Sequence, residues 1–269
     1  MVMNKMKVSA IQLNLAFDNP DQNENKIEKK IKKTMETFQP DTIVLPEMWN
    51  VSFFPDDIQK NADQEGKRSR AFLSRLSKMY QVNIVGGTVA TVYDDQYYNS
   101  SYQFDREGKL VHTYHKVHLF SPSKEQNKFT SGHQLGIFEL DGVKVGIATC
   151  YDLRFVEWIR LLALADIEIL FIPAAWPNPR ASHWEILLQA RAIENQLFVV
   201  GVNSVGTTDK LTFCGHSLIV DPFGEKLATS KNEEVILNAT LDLKKRKVTK
   251  EQINVFQDRR PDLYKQYRM

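Results

Sequence analysis

Cys150 closes a β-branched run, Val143-Lys144-Val145-Gly146-Ile147-Ala148-Thr149, and is followed at once by Tyr151-Asp152-Leu153-Arg154. A thiol where a strand gives way to a helical pattern sits where a helix N-terminus stabilises a thiolate and backbone N–H groups can hold an oxyanion. Three other ionisable side chains share that setting. Glu47 follows the apolar stretch Asp41-Thr42-Ile43-Val44-Leu45 through Pro46. Lys116 stands in His115-Lys116-Val117-His118-Leu119 at the end of another strand pattern, and Glu125 lies in the loop beyond it. Strand ends are where functional side chains converge. A thiol, an acid to take its proton and a cation to hold developing negative charge form a set suited to covalent attack on a carbonyl carbon.

Taken singly, each has a plainer reading. Cys150 can be a small buried hydrophobe, Glu47 and Glu125 solvated loop acids, and Lys116 a surface cation. Cys214, in Leu211-Thr212-Phe213-Cys214-Gly215-His216, has neither a helix start nor an acidic neighbour and reads as structural. His112, His115, His118 and His133 show no metal-ligand spacing. His112 and His115, three apart at a strand end, point to opposite faces. Neither a metal nor any other cofactor is expected.

The elements that must position these groups follow from periodicity. Residues 6–15 read as a strand and 21–38 as an amphipathic helix with Ile27, Ile31, Met35 and Phe38 on one stripe. A short strand at 41–45 precedes a helix at 67–80, with Phe72, Leu73, Leu76 and Met79 inward, and a strand at 82–87. Hairpins are expected at 97–104 with 109–115, at 136–140 with 143–149 around Asp141-Gly142, and at 218–221 with 225–228. Helices over 154–165 and 181–195 alternate with strands over 167–172 and 197–202, and a last strand spans 235–241. No linker, repeat or low-complexity segment interrupts the chain, so one domain over 1–269 is expected. Beyond about residue 250 a polar but aromatic tail either frays or docks on a neighbouring chain.

Composition sets the class. Of 269 residues, 42% are hydrophobic and 25% charged, ordinary for a soluble globular protein. A net charge of +2, from 35 basic and 33 acidic residues, gives no global basic field and argues against nucleic acid as a partner. Two cysteines are too few for a disulfide framework and fit reduced thiols in the cytoplasm. The N-terminal region has no secretory h-region, and no apolar run approaches the ~20 residues of a membrane span.

Leu45-Pro46-Glu47, His115-Lys116-Val117-His118-Leu119 and Cys150-Tyr151-Asp152-Leu153-Arg154-Phe155, in this order and at comparable intervals, resemble the motifs of the nitrilase superfamily of carbon–nitrogen hydrolases. The resemblance covers essentially the whole chain. It implies an α/β fold, a four-layer αββα sandwich of two mixed sheets flanked by helices. It also implies a Glu47–Lys116–Cys150 triad assisted by Glu125, and a homodimer. Pro173-Ala174-Ala175-Trp176-Pro177, then Arg180, His183-Trp184 and Ala190-Arg191-Ala192-Ile193-Glu194-Asn195, resemble the ω-amidase branch, which hydrolyses short 2-oxo acid amides such as 2-oxoglutaramate. Val156 departs from the proline of many relatives, at a first-turn position where proline is favoured but dispensable.

A 2-oxo acid amide carries a carboxylate remote from the reacting amide, and a guanidinium fork would hold it. Arg154 and Arg180 are the candidates, with Tyr151 and Trp176 as pocket walls. An ion pair of Arg154 with Glu157 or Asp152 is the structural alternative for that arginine. Arg191 is expected to stabilise packing at its helix end. Competing activities are hydrolysis of an N-carbamoyl compound, another aliphatic amide or a nitrile. A non-catalytic binding or assembly protein on the same fold, and a redox sensor built on Cys150, are the non-hydrolase alternatives.

Overall fold

The computed structural model describes residues 3–53, 57–208 and 211–267. The first half of the chain runs β1 (Lys5–Gln12), α1 (Pro20–Thr37), β2 (Thr42–Val44), β3 (Asp63–Gln64), α2 (Lys67–Tyr80), β4 (Asn83–Val85), β5 (Val89–Tyr93), β6 (Gln96–Phe104) and β7 (Leu110–His115). After it come β8 (Gly136–Leu140), β9 (Val143–Ile147), α3 (Val156–Leu164), β10 (Ile169–Ala174), α4 (Ala181–Asn195) and β11 (Phe198–Asn203). The chain continues through β12 (Val205–Thr207), β13 (Thr212–Cys214), β14 (Leu218–Val220), β15 (Lys226–Thr229), β16 (Val235–Asp242), α5 (Lys244–Gln252) and α6 (Pro261–Tyr264).

Two mixed sheets result. One has the order β16-β1-β2-β4-β6-β5-β3, with β7 also paired to β6; the other has the order β15-β14-β11-β10-β9-β8. Strands β1, β2 and β4 run parallel in the first sheet, and β9, β10 and β11 run parallel in the second. The expected hairpins form with antiparallel registers.

Strand alternation sorts side chains into layers. Met6, Val8 and Ala10 of β1 face the second sheet and pack with Ile169, Phe171, Phe198, Val200 and Val202. On the outer side of the first sheet, Ile11 and Ile43 meet Ile27 and Ile31 of α1 and Phe72, Leu73 and Leu76 of α2. On the outer side of the second, Leu170, Ile172 and Val199 meet Ile159 and Leu162 of α3 and Trp184 and Leu188 of α4. The layering is therefore αββα. Strand β10 is apolar on both faces because helix and sheet bury it from both sides. Each fully buried Ile, Leu or Phe contributes about 1.5–3 kcal/mol.

Helix α1 begins where Asn19 accepts the Gln22 N–H at 3.1 Å and Pro20 supplies a preset φ. Two expectations are corrected. Met79 is 56% exposed, because the buried stripe of α2 closes with Leu76 and Ser77. The helix expected from 154 starts at Val156, because Cys150–Arg154 form a separate 3-10 turn. In the tail, Phe256 packs on its own chain, beneath Arg160 and Lys250. No helix among the described residues is long and apolar enough to cross a membrane.

Candidate active site

Three loops leave the strand ends and meet. Glu47 lies three residues past β2, and its N–H reaches across to the Ala174 carbonyl of the other sheet at 3.3 Å. Its loop is fixed by Thr88, which donates its N–H to Pro46 O at 3.1 Å and accepts the Met48 N–H on Oγ1 at 2.8 Å. A Cβ on Gly87 (φ +57°) would lie 2.0 Å from Pro46 O, so only glycine lets the strand exit pass there. Lys116 follows β7 directly; its N–H donates to Asn99 O at 2.9 Å, and its carbonyl accepts the Gly132 N–H at 2.8 Å. Cys150 opens the 3-10 turn with φ +46°, a left-handed conformation costly for a non-glycine residue.

The side chains close into one cluster. Glu47 Oε1 accepts Lys116 Nζ at 2.9 Å and Asn99 Nδ2 at 2.8 Å, while Oε2 accepts the Ala175 N–H at 2.8 Å. Glu125 accepts Lys116 Nζ at 3.1 and 2.9 Å on its two oxygens, Asn99 Nδ2 at 3.3 Å and the Phe120 N–H at 2.6 Å. Glu47, Lys116 and Glu125 have no solvent exposure, and charges so buried persist only when paired and hydrogen-bonded. Burial pushes the Lys116 ammonium towards deprotonation, but Glu125 and Glu47 outweigh it and hold its pKa well above the usual value. Burial raises the Glu125 carboxyl, against the opposing pull of Lys116. The Cys150 thiol is raised well above its usual range, first by burial and then by the Glu47 carboxylate, with Lys116 and the Ala175 N–H opposing.

One expectation is corrected: Cys150 opens a short 3-10 turn rather than an α-helix, and α3 begins six residues later, so Lys116 and the Ala175 N–H, not a helix N-terminus, are what favour the thiolate against burial and Glu47. The sulfur rests protonated beside a carboxylate able to accept its proton, which is the arrangement of a general base and its nucleophile.

Cys150, 7% exposed, lies at a narrow pocket that opens to solvent. Phe53, Phe120, Tyr151, Ala175, Trp176 and Pro177 wall it, and Arg154 and Arg180 stand in the same lining. The Arg154 guanidinium lies 4.6 Å over the Trp176 ring and reaches His183 Nδ1 at 3.3 Å. Arg180 lies 5.6 Å from the Phe120 ring centre, and its carbonyl accepts Trp176 Nε1 at 2.9 Å. Among the described residues neither guanidinium pairs with a carboxylate. The alternative of an Arg154 ion pair with Glu157 or Asp152 is therefore not realised. The pKa of Arg154 is lowered, first by burial and then by the facing charge of Arg180.

Asp152 and Asn99 were not read as site residues from the sequence. Asp152 is fully buried and accepts four hydrogen bonds: Tyr114 OH (2.7 Å) and Thr149 N (2.8 Å) on Oδ2, His118 N (2.8 Å) and His118 Nδ1 (2.7 Å) on Oδ1. It thus grips the chain on both sides of Lys116 from the turn that carries Cys150. Arg191 serves its own helix end, as expected, by pairing with Glu194 at 2.8 Å, and it also donates to Leu153 O at 3.1 and 2.9 Å and so holds that turn. Asn99 bridges both glutamates; an Asn inside a strand, where it is disfavoured, was the available signal. Cys214 is buried beside Asn203 Nδ2 at 3.2 Å, its thiol pushed up to about 11 by burial. His112 stacks on Phe138 while His115 bonds Ser100 Oγ at 2.8 Å.

The sequence profile of the carbon-nitrogen hydrolase family matches residues 7–251. The chain belongs to that family, within the nitrilase superfamily, and is a carbon–nitrogen hydrolase. It is similar to a 2-oxoglutaramate amidase of Bacillus subtilis (strain 168), 41% identical over 97% of this chain and 100% of that one. A hydrolase in the agr operon of Staphylococcus aureus is 36% identical over 97% of this chain and 100% of its own length. The crystal structure of Saccharomyces cerevisiae Nit3, a member of branch 10 of the nitrilase superfamily, superposes with a TM-score of 0.87 at 29% identity, covering 94% of this chain and 95% of that one.

Proposed function

We propose that this enzyme is an ω-amidase that hydrolyses 2-oxoglutaramate or 2-oxosuccinamate to the 2-oxo acid and ammonia. The observation that carries the reading is a pair of guanidiniums, Arg154 and Arg180, without carboxylate partners among the described residues, in the lining that also holds Cys150. A substrate with its amide at the sulfur and its carboxylate at the arginines supplies the missing anion. The names of the Bacillus subtilis relative and of the omega-amidase NIT2 proteins support the same substrate class.

In this mechanism Glu47 takes the thiol proton as the Cys150 sulfur attacks the amide carbon. The tetrahedral oxyanion is held by the Lys116 ammonium and the Tyr151 N–H, donors of a kind each worth about 10²–10³ in rate. The carbon–nitrogen bond breaks as Glu47 passes its proton to the leaving nitrogen, giving ammonia and a thioester. Water then yields a proton to Glu47 and attacks the thioester; the sulfur leaves and recovers that proton. Glu125 orients Lys116 throughout. No step requires a metal.

Ammonia release from 2-oxoglutaramate by the wild type and none by Cys150→Ala is the expected result. Mass spectrometry after an acid quench should place the acyl group on the Cys150 peptide. A silent wild type overturns the substrate, and an adduct on Cys214 overturns the nucleophile.

We also propose a cytoplasmic homodimer. Two unpaired thiols support the compartment. The exposed Val156, Leu161, Ile186 and Ile193 on the outer faces of α3 and α4 support pairing through those helices. Light scattering should give twice the chain mass, and Ile186→Glu should halve it; a monomeric wild type contradicts the pairing.

A further inference from the structure

Asn99 stands in the middle of β6 and is buried. Its main-chain carbonyl accepts the Lys116 N–H at 2.9 Å, and its Nδ2 donates to Glu47 Oε1 at 2.8 Å and to Glu125 Oε1 at 3.3 Å. One residue therefore touches the backbone of the ammonium's carrier and both carboxylates that hold the ammonium. Its Oδ1 has no hydrogen-bond partner among the described residues. A buried orphan acceptor is a cost that leucine at the same place would avoid. The Nδ2 contacts are what the asparagine offers in return.

Those contacts have an electrostatic consequence. Two carboxylates share one ammonium, and an N–H donated to a carboxylate favours its charged form. The charged or titratable groups facing Glu47 are Lys116 from the end of β7, Glu125 from the loop beyond it and Cys150 from the turn after β9. The Ala175 N–H, past β10, is the main-chain donor. Among the described residues Asn99 is the neutral side-chain donor to either acid.

Building on the role of Glu47 proposed above, we infer that Asn99 is a positioning residue that fixes both carboxylates on Lys116 and aims Glu47 at the thiol proton. Asn99→Leu in the full-length enzyme removes the donor while keeping the same branching and number of side-chain heavy atoms. The acidic limb of its kcat/KM profile should move to higher pH by about one unit, the worth of one hydrogen bond to a charged group. On that limb kcat should fall about tenfold while KM stays within about twofold. Asn99→Ser, a smaller change whose hydroxyl is too short to bridge the acids, should shift the limb in the same direction and decides the matter if Asn99→Leu does not fold.

An active wild type whose Asn99 variants lose activity equally at every pH, with the limb unmoved, overturns this inference and leaves the amidase reading intact. A wild type that releases no ammonia overturns both.

Discussion

At the floor of the pocket, Glu47, Lys116 and Glu125 are sealed from solvent and each charge meets its partner within 3.1 Å. At the mouth, Arg154 and Arg180 are partly exposed, rest on aromatic rings and meet no carboxylate among the described residues. The floor holds two carboxylates on one ammonium, and its polar groups are hydrogen-bonded to one another, so the cluster is fixed in one geometry and leaves no free donor for a ligand's anion. The mouth retains two cations whose charge no carboxylate among the described residues offsets. On the function proposed above, chemistry and selectivity lie in separate parts of one cavity, and substitutions should separate them.

The largest effect is expected at the floor. Lys116→Met leaves two acids buried without their cation, which should abolish turnover and cost about 3–5 kcal/mol in urea denaturation. A loss under about 1 kcal/mol would mean that the cluster does not depend on its ammonium. At the mouth, Arg154→Ala and Arg180→Ala should each raise KM for 2-oxoglutaramate about 10–100-fold, the worth of a charge-assisted hydrogen bond. A neutral amide such as butyramide should change less than about threefold in the same variants; equal losses would make the guanidiniums structural and erase the contrast. The smallest effect concerns the sulfur. With its pKa raised by burial and by Glu47, Cys150 should react with methyl methanethiosulfonate at a rate climbing about tenfold per pH unit through neutrality. A plateau near pH 7 would reveal a resting thiolate and a sulfur governed by Lys116 rather than by burial and Glu47.

Much of the frame was legible because it is written in local periodicity. The ranges 67–80 and 181–195 coincide with α2 and α4, and the hairpins follow their turn residues. The positions of Glu47, Lys116 and Cys150 at strand ends were legible too, since a strand that stops announces itself in sequence. What sequence could not carry is pairing at a distance. Asn99 meets Glu47 from 52 residues away, and Arg191 meets Leu153 from 38. Neither contact leaves a periodic trace. Helix α5 was missed because Lys244-Lys245-Arg246-Lys247 presents no apolar stripe, and its buried side is made by Arg246 and Thr249. The balance acting on the sulfur was out of reach for a related reason: burial and the neighbouring acid belong to the folded cluster rather than to the residues beside Cys150.

Glu47 and Lys116 leave one sheet, Cys150 and Ala175 leave the other, and the carboxylate of Asp152 fastens the two margins. A chain with either sheet formed alone owns an acid without a thiol, or a thiol without an acid. Bringing the acid to the thiol therefore requires both sheets docked, and a polypeptide that has come apart carries an ordinary thiol with no acid to serve it.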